Sequence, residues 1–249
     1  MNRDIFNIRS RNPEAEVNVA NESIDDRISA MCATGSILNL VDSINAYIDE
    51  CLAKYQSGQA VLETRQHISN RSIIERLNRK VVARKVEAIV NSIIQTMNAE
   101  MVKLKLSLST KSSDESVKIP LPSFSTAPHN YITNVGHSLL NVMNTISLYA
   151  TNKNFICSIM SIAAKNYSED EADLWLITEI GTRVMEAFCD NIGNISQLTL
   201  ELICQFHADI VFLMEALIDL RLQPTARLID YAERLKKGLE VKDVRLEFS

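Results

Sequence analysis

Chain breakers are scarce in this sequence, with six glycines and five prolines among 249 residues. Elements that are rarely interrupted run long, and a bias toward Leu, Ile, Ala, Asn, Ser and Glu favours helices over strands. Concentrated positive charge is also missing: 26 basic residues against 31 acidic ones leave a net charge of -5, with no Lys/Arg block. That excludes the usual electrostatic footprint for gripping a phosphate backbone, so nucleic acid is not an expected partner. The five cysteines, Cys32, Cys51, Cys157, Cys189 and Cys204, are odd in number and widely spread. They read as reduced core thiols and not as a disulfide framework. Long greasy runs are lacking as well, because Leu198 to Leu220 is interrupted by Glu201, His207, Asp209, Glu215 and Asp219. No membrane span is expected there. The start, MNRDIFNIRSRNPEAEVN, is charged throughout and has no apolar signal core.

What is present is helical periodicity. Residues 1–22 are polar and aperiodic and are expected to be disordered. Ser23 and Asp26 open an apolar recurrence at Ile28, Met31, Ile37, Leu38, Val41, Ile44, Ile48 and Leu52, a helix to about Tyr55 that QSG terminates. A second stripe follows through Ile73, Leu77, Val81, Val86, Ile89, Ile93, Met97, Met101 and Leu104. As one helix from Ser72 to Ser107 it would be roughly 54 Å long. Doubled apolar positions such as Val81–Val82 and Ile89–Val90 make the stripe wider than a two-stranded seam, which points to a bundle.

The Ser-rich stretch 107–118 reads as a linker, followed by a strip stiffened by Pro120, Pro122 and Pro128 with Leu121 and Phe124 available to dock. From His129 a helix runs with apolar residues at Ile132, Val135, Leu139, Val142 and Ile146 and without a single charge on its opposite face. FICSIMSIAA, 155–164, either finishes that helix or forms a short partner. Ser168 and Glu171 match a capping box. The helix after it buries Leu174, Ile177, Ile180, Val184, Phe188 and Ile192 and opposes them with Glu179, Arg183, Glu186 and Asp190. Gln197 to Leu220 carries two apolar rows, which marks it as the central helix, and Pro224 is expected in the first turn of a last helix bearing Leu228, Tyr231 and Leu235. The organisation expected is a disordered segment 1–22, a long-helix bundle segment 23–108, a linker and proline strip 109–128, a C-terminal helical bundle 129–240 and a tail 241–249. The fold class is all-α.

Reactive constellations are weak. No nucleophile elbow, glycine-rich phosphate loop, zincin helix or di-iron motif appears. Cys204 and His207 stand one turn apart, yet a zinc site needs two further ligands. His129 and His137 flank the uncharged helix, where bonding to water or a partner is the plainer reading than a pH-sensing or catalytic pair. Met97, Met101, Met143, Met160, Met185 and Met214 fall mostly on apolar stripes as gap fillers. No catalytic, cofactor-binding or metal residue is therefore assigned, no cofactor is expected, and no small-molecule substrate is expected.

Three stretches in order carry a family resemblance: PLPSFSTAPHNYITNVGHSLL, ADLWLITEIGTRVMEAFCDNI with Trp175, Leu176, Met185 and Cys189-Asp190, and HADIVFLMEALIDLRLQPTARL. Together they resemble the C-terminal region of subunit seven of the conserved oligomeric Golgi complex, a vesicle-tethering assembly. The resemblance covers about 120 to 235 and, more loosely, the long helix before it. It implies an elongated, rod-like stack of helical bundles, peripheral on the cytosolic face of Golgi membranes. It also implies partners among the other tethering subunits, a part in intra-Golgi retrograde transport and retention of glycosylation machinery, and no catalytic residues. The proline strip would then set an angle between bundles and the uncharged helix would lie sandwiched between neighbours. The competing readings are a helical-bundle metal or cofactor protein using Cys204 and His207, and a generic cytosolic helical adaptor.

Overall fold

The computed structural model describes residues 23–55, 60–110, 127–163, 167–195 and 199–240. Every described element is helical, as the composition predicts: α1 (Ile24–Tyr55), α2 (Ala60–Thr110), α3 (Asn130–Ser147), α4 (Lys153–Met160), a 3-10 turn (Glu169–Glu171), α5 (Ala172–Gly193), α6 (Leu200–Asp219) and α7 (Ala226–Glu240). The expectations for residues 1–22, the QSG terminator, the linker beyond residue 110, the strip around Leu121 and Phe124 and the tail 241–249 lie outside the described residues, whereas residues 107–110, read as the start of the linker, are the last turn of α2. The chain divides into two compact units, Met1–Ile89 with Asn144–Ile177, and Val90–Met143 with Thr178–Ser249.

In the first unit α1 begins where Ser23 and Asp26 cap each other: the Ser23 hydroxyl accepts from the Asp26 amide at 3.1 Å, and the Asp26 carboxylate accepts from the Ser23 amide at 3.1 Å. Ile28, Met31 and Leu38 are buried on one face of α1, and Val82, Val86 and Ile89 on one face of α2. α1 and α2 run antiparallel, since Arg27 donates to the Ala88 carbonyl, Thr34 sits beside Asn78 and Asp42 pairs with Arg71. The FICSIMSIAA stretch forms its own short helix, α4, because Asn152 caps it by accepting from the amides of Asn154 and Phe155. Phe155, Ser158 and Ile159 are its buried residues.

Two features hold the register of this unit. Gly35 lets α1 approach the backbone of α4 so closely that a Cβ there would lie 1.7 Å from the Asn154 carbonyl oxygen. Asn78, 1 % exposed, gives both amide hydrogens to α4 and its C-terminal turn, to the Ser158 carbonyl and the Ser161 hydroxyl, each at 2.7 Å. Its oxygen accepts from the Ser158 hydroxyl at 2.8 Å and faces Thr34, whose one proton is shared with the Met31 carbonyl. A buried amide whose hydrogen-bonding capacity is saturated is stabilising where a half-satisfied one would not be. This interior asparagine stands where the stripe reading expects Leu77. The buried face of α2 passes through Asn78 and Val82, whereas Ile73 and Leu77 are exposed.

In the second unit the buried residues are those the periodicity selects: Ile93, Met97 and Met101 on α2, Ile132, Leu139 and Val142 on α3, Ile180, Val184, Phe188 and Ile192 on α5, and Phe206, Ile210, Leu213 and Leu217 on α6. Leu174, expected on the buried side of α5 in the first unit, is exposed at its rim. The capping box before α5 is present, with the Glu171 carboxylate accepting from the Ser168 amide at 2.9 Å. The acids opposite the buried face of α5 become ion pairs: Arg183 with Glu179 at 2.7 Å, and Arg227 of α7 with Glu186 at 3.0 Å and Asp190 at 2.7 Å.

α6 is described from Leu200, behind a Thr199 cap, and the start expected at Gln197 lies outside the described residues. Its second apolar row is only half covered, because Val211 and Ile218 are exposed, so α6 is not surrounded as the sequence suggests. It ends in a Schellman turn: the Arg221 amide donates to the Ile218 carbonyl at 2.9 Å and the Leu222 amide to the Leu217 carbonyl at 2.8 Å. Arg221 takes the left-handed conformation with φ of 59°. Leu222 then folds onto Gly181, where a Cβ would meet Leu222 Cδ1 at 2.8 Å. Pro224 lies before the cap and not in the first turn, because Thr225 is the residue whose hydroxyl accepts from the Leu228 amide at 3.2 Å.

Candidate functional site

An outward apolar row is the most prominent surface feature of the first unit. Ile37, Leu40, Ile44 and Tyr47 recur at steps of three, four and three, one face of a helix, and are 51, 60, 47 and 67 % exposed. On α2 Ile73 and Leu77, one turn apart, are 44 and 53 % exposed. The pairs Thr34–Asn78 and Asp42–Arg71 fix the level of the two helices, so Ile37 and Leu40 fall alongside Leu77 and Ile73. Scattered single apolar residues need no explanation on a surface, but four recurring on one helix face, with two more at the same level on the next helix, do.

Charge around this row is asymmetric. Between Ile28 and Tyr47 the ionisable side chains of α1 are Cys32, Asp42 and Tyr47, Asp42 being paired with Arg71, whereas α2 exposes Arg76, Arg79, Lys80 and Arg84 next to Ile73 and Leu77, with Glu75 also paired to Arg71. Such a surface can seat an amphipathic helix whose apolar stripe is flanked by acids on the α2 side. Covering the half-exposed side chains would contribute about 1 kcal/mol apiece before the costs of association.

The residues singled out from sequence fall elsewhere. Cys204 and His207 are half-buried on α6, and among the described residues no three His, Cys, Asp or Glu side chains are placed to hold a metal ion. Burial, with Lys236 adding to it, holds the His207 imidazole below its ordinary range. His129 lies at the start of α3 with its ring 5.5 Å from that of Tyr131, and His137 is exposed. Met97, Met101 and Met185 are buried, while Met143, Met160 and Met214 are half-buried; the Met185 sulfur accepts from the Thr225 amide. Among the described residues the uncharged face of α3 is not sandwiched: Asn130, Asn134, His137 and Asn141 are exposed.

Sequence reasoning missed Asp209, which reads as an interruption in a greasy run. It is 0 % exposed. Its carboxylate accepts from the His129 amide at 2.7 Å, the Tyr131 hydroxyl at 2.6 Å and the Gln205 side-chain amide at 2.9 Å, and so ties the start of α3 to α6. Burial pushes its carboxyl above the ordinary range, against the three hydrogen bonds that favour the anion. The Tyr131 phenol is pushed up too, first by burial and then by the carboxylate beside it. The Gln205-x-x-x-Asp209 spacing is a visible i,i+4 pair, but the His129 and Tyr131 partners lie 80 and 78 residues away in sequence.

These observations define the class: an all-helical protein that combines internally locked helix pairs with an open apolar row suited to another helix. Comparison with known families is specific. The family model of Golgi complex component 7 (COG7) matches residues 5–245, and the chain belongs to that family. It is thereby a subunit of the Golgi vesicle-tethering complex, and its place is the Golgi. The match extends well beyond the region 120 to 235 on which the sequence resemblance rests. Neither the curated proteins nor the solved structures gave a match. Among the described residues no helix is long and apolar enough to cross a membrane.

Proposed function

We propose that the chain acts as a non-enzymatic scaffold subunit that supports intra-Golgi retrograde transport and so retains glycosylation machinery. It is held on the cytosolic face as a peripheral protein through other subunits of its complex. The observation that carries this reading is the row Ile37, Leu40, Ile44 and Tyr47, exposed in a member of a family of complex subunits. A helix of another subunit, with an apolar stripe and acidic flank, covers this row and meets Arg76, Lys80 and Arg84.

Affinity capture tests the reading. The wild-type chain should recover other subunits of the Golgi tethering complex, and a Leu40→Asp/Tyr47→Asp variant should lose them while keeping its helical circular dichroism and unfolding temperature. Undiminished recovery by the variant would remove the docking role of this row. Normal Golgi glycosylation in cells lacking the chain would remove the transport role.

A further inference from the structure

A cavity of about 460 Å³ opens in the second unit at the start of α3, with Glu100, His129, Asn130, Tyr131, Asn134 and Gln205 in its wall. Its wall shares no residue with the α1–α2 row. Its chemistry is set by Gln205. The side-chain nitrogen of Gln205 donates to the Ala127 carbonyl at 3.1 Å and to the Asp209 carboxylate at 2.9 Å. Both partners are acceptors, so the nitrogen must face them and the amide has one orientation. Its oxygen is therefore turned away from both, as a fixed acceptor.

Glu100 adds a carboxylate, and the side-chain amides of Asn130 and Asn134 can each rotate an oxygen inward. Among the described residues the Glu100 carboxylate pairs with Lys103, whose side chain is 69 % exposed; such a pair contributes little and is readily exchanged. Apart from His129, no described lining residue can carry positive charge. The His129 amide, just before α3, donates to Asp209 at 2.7 Å and is not open to a ligand. The wall thus combines acceptors with negative charge, and a ligand that complements it brings several hydrogen-bond donors and a positive charge.

We infer that this cavity receives the guanidinium of an arginine side chain carried by a partner polypeptide. A planar fork of five N–H donors suits a wall that offers a carboxylate and amide oxygens, to which the single ammonium of lysine is less well matched.

The test uses the full chain labelled with nitrogen-15 and N-acetyl-arginine amide as probe. The side-chain NH₂ signals of Asn134 and Gln205 should shift saturably, and N-acetyl-citrulline amide, neutral but similar in shape, should leave them unmoved. Glu100→Gln, at a half-buried position, should weaken the arginine probe about fivefold or more with the spectrum otherwise retained. Asn134→Ala, at an exposed position, should weaken it as well. Equal shifts from citrulline, an unaltered affinity in Glu100→Gln, or no saturable shift would each overturn the assignment. Tighter binding of free arginine than of the blocked probe would point to a small molecule and overturn the polypeptide source.

Discussion

Replacing Gly35 by alanine places a methyl group 1.7 Å from the Asn154 carbonyl oxygen and 2.7 Å from its carbon. Both are backbone atoms of α4, so no side-chain rotation relieves the clash. Ordinary contact requires α4 to move away by roughly 1.5–2 Å, several times the spread of about 0.5 Å that hydrogen-bond distances allow. Such a shift loosens the Asn39–Asn154 bond, now 2.8 Å, and the two bonds from the Asn78 amide to Ser158 and Ser161, now 2.7 Å each. Three bonds at about 1 kcal/mol each, with packing lost around Phe155, outweigh the roughly 1 kcal/mol that alanine gains over glycine inside a helix. The net expectation is destabilisation by about 2–4 kcal/mol. Gly136→Ala is the control, because its Cβ would meet Phe212 at 3.5 Å, an ordinary contact. Thermal unfolding with amide hydrogen exchange on α4 reads the result. A Gly35→Ala protein as stable as wild type, with α4 amides equally protected, would refute the close-packing argument.

Further expectations concern other parts of the molecule. Arg221→Gly removes a side chain from the left-handed conformation and should stabilise by about 0.5 kcal/mol, raising the unfolding temperature by about 1–2 °C; no change or a decrease would contradict the strain reading. Leu139→Asp puts a carboxylate at a fully buried position and should cost about 4 kcal/mol or more by denaturant titration, so a loss under 1 kcal/mol would show that face to be open. Because the folded protein holds the Asp209 carboxyl above its ordinary range, the stability from that group is full in acid and is lost as pH rises through the folded value. The stability difference between wild type and Asp209→Asn should therefore shrink from acid upward, and a difference that grows would reverse the assignment. Glu171 works the other way: the Ser168 amide and hydroxyl lower its value, so its cap should persist above the ordinary carboxylate range and fail as pH falls through the folded value. An NMR titration with the midpoint in the ordinary range would refute it.

Much of the fold is legible in the sequence because amphipathic spacing and caps are local signals. Ser168 with Glu171, the stripe from Ile177 to Ile192 and the face of Leu228, Tyr231 and Leu235 all appear as the pattern specifies. The failures share one cause. Ile37, Ile44, Ile73, Leu77 and Ile218 are spelled like core residues, and periodicity tells which face is apolar but not what covers it. Asn78 and Asp209 are the converse, polar residues inside, whose partners come from segments distant in sequence. A hydrogen bond between such segments leaves no local trace, so the positions that fix register were the least readable.

The saturated amide of Asn78 also bears on how this chain keeps its own helices from being mistaken for a stranger's. Sliding α2 by one turn, or exchanging α1 for a foreign helix, would strand the amide hydrogens of Asn78 and the hydroxyls of Thr34, Ser158 and Ser161 in a dry interior. The proposed docking on the outer row would use no such buried polar lock, because Ile37, Leu40 and Ile44 offer only apolar surface. Self-recognition would then be written in polar groups and recruitment in grease, and a partner could exchange at the surface without unfastening the hairpin beneath.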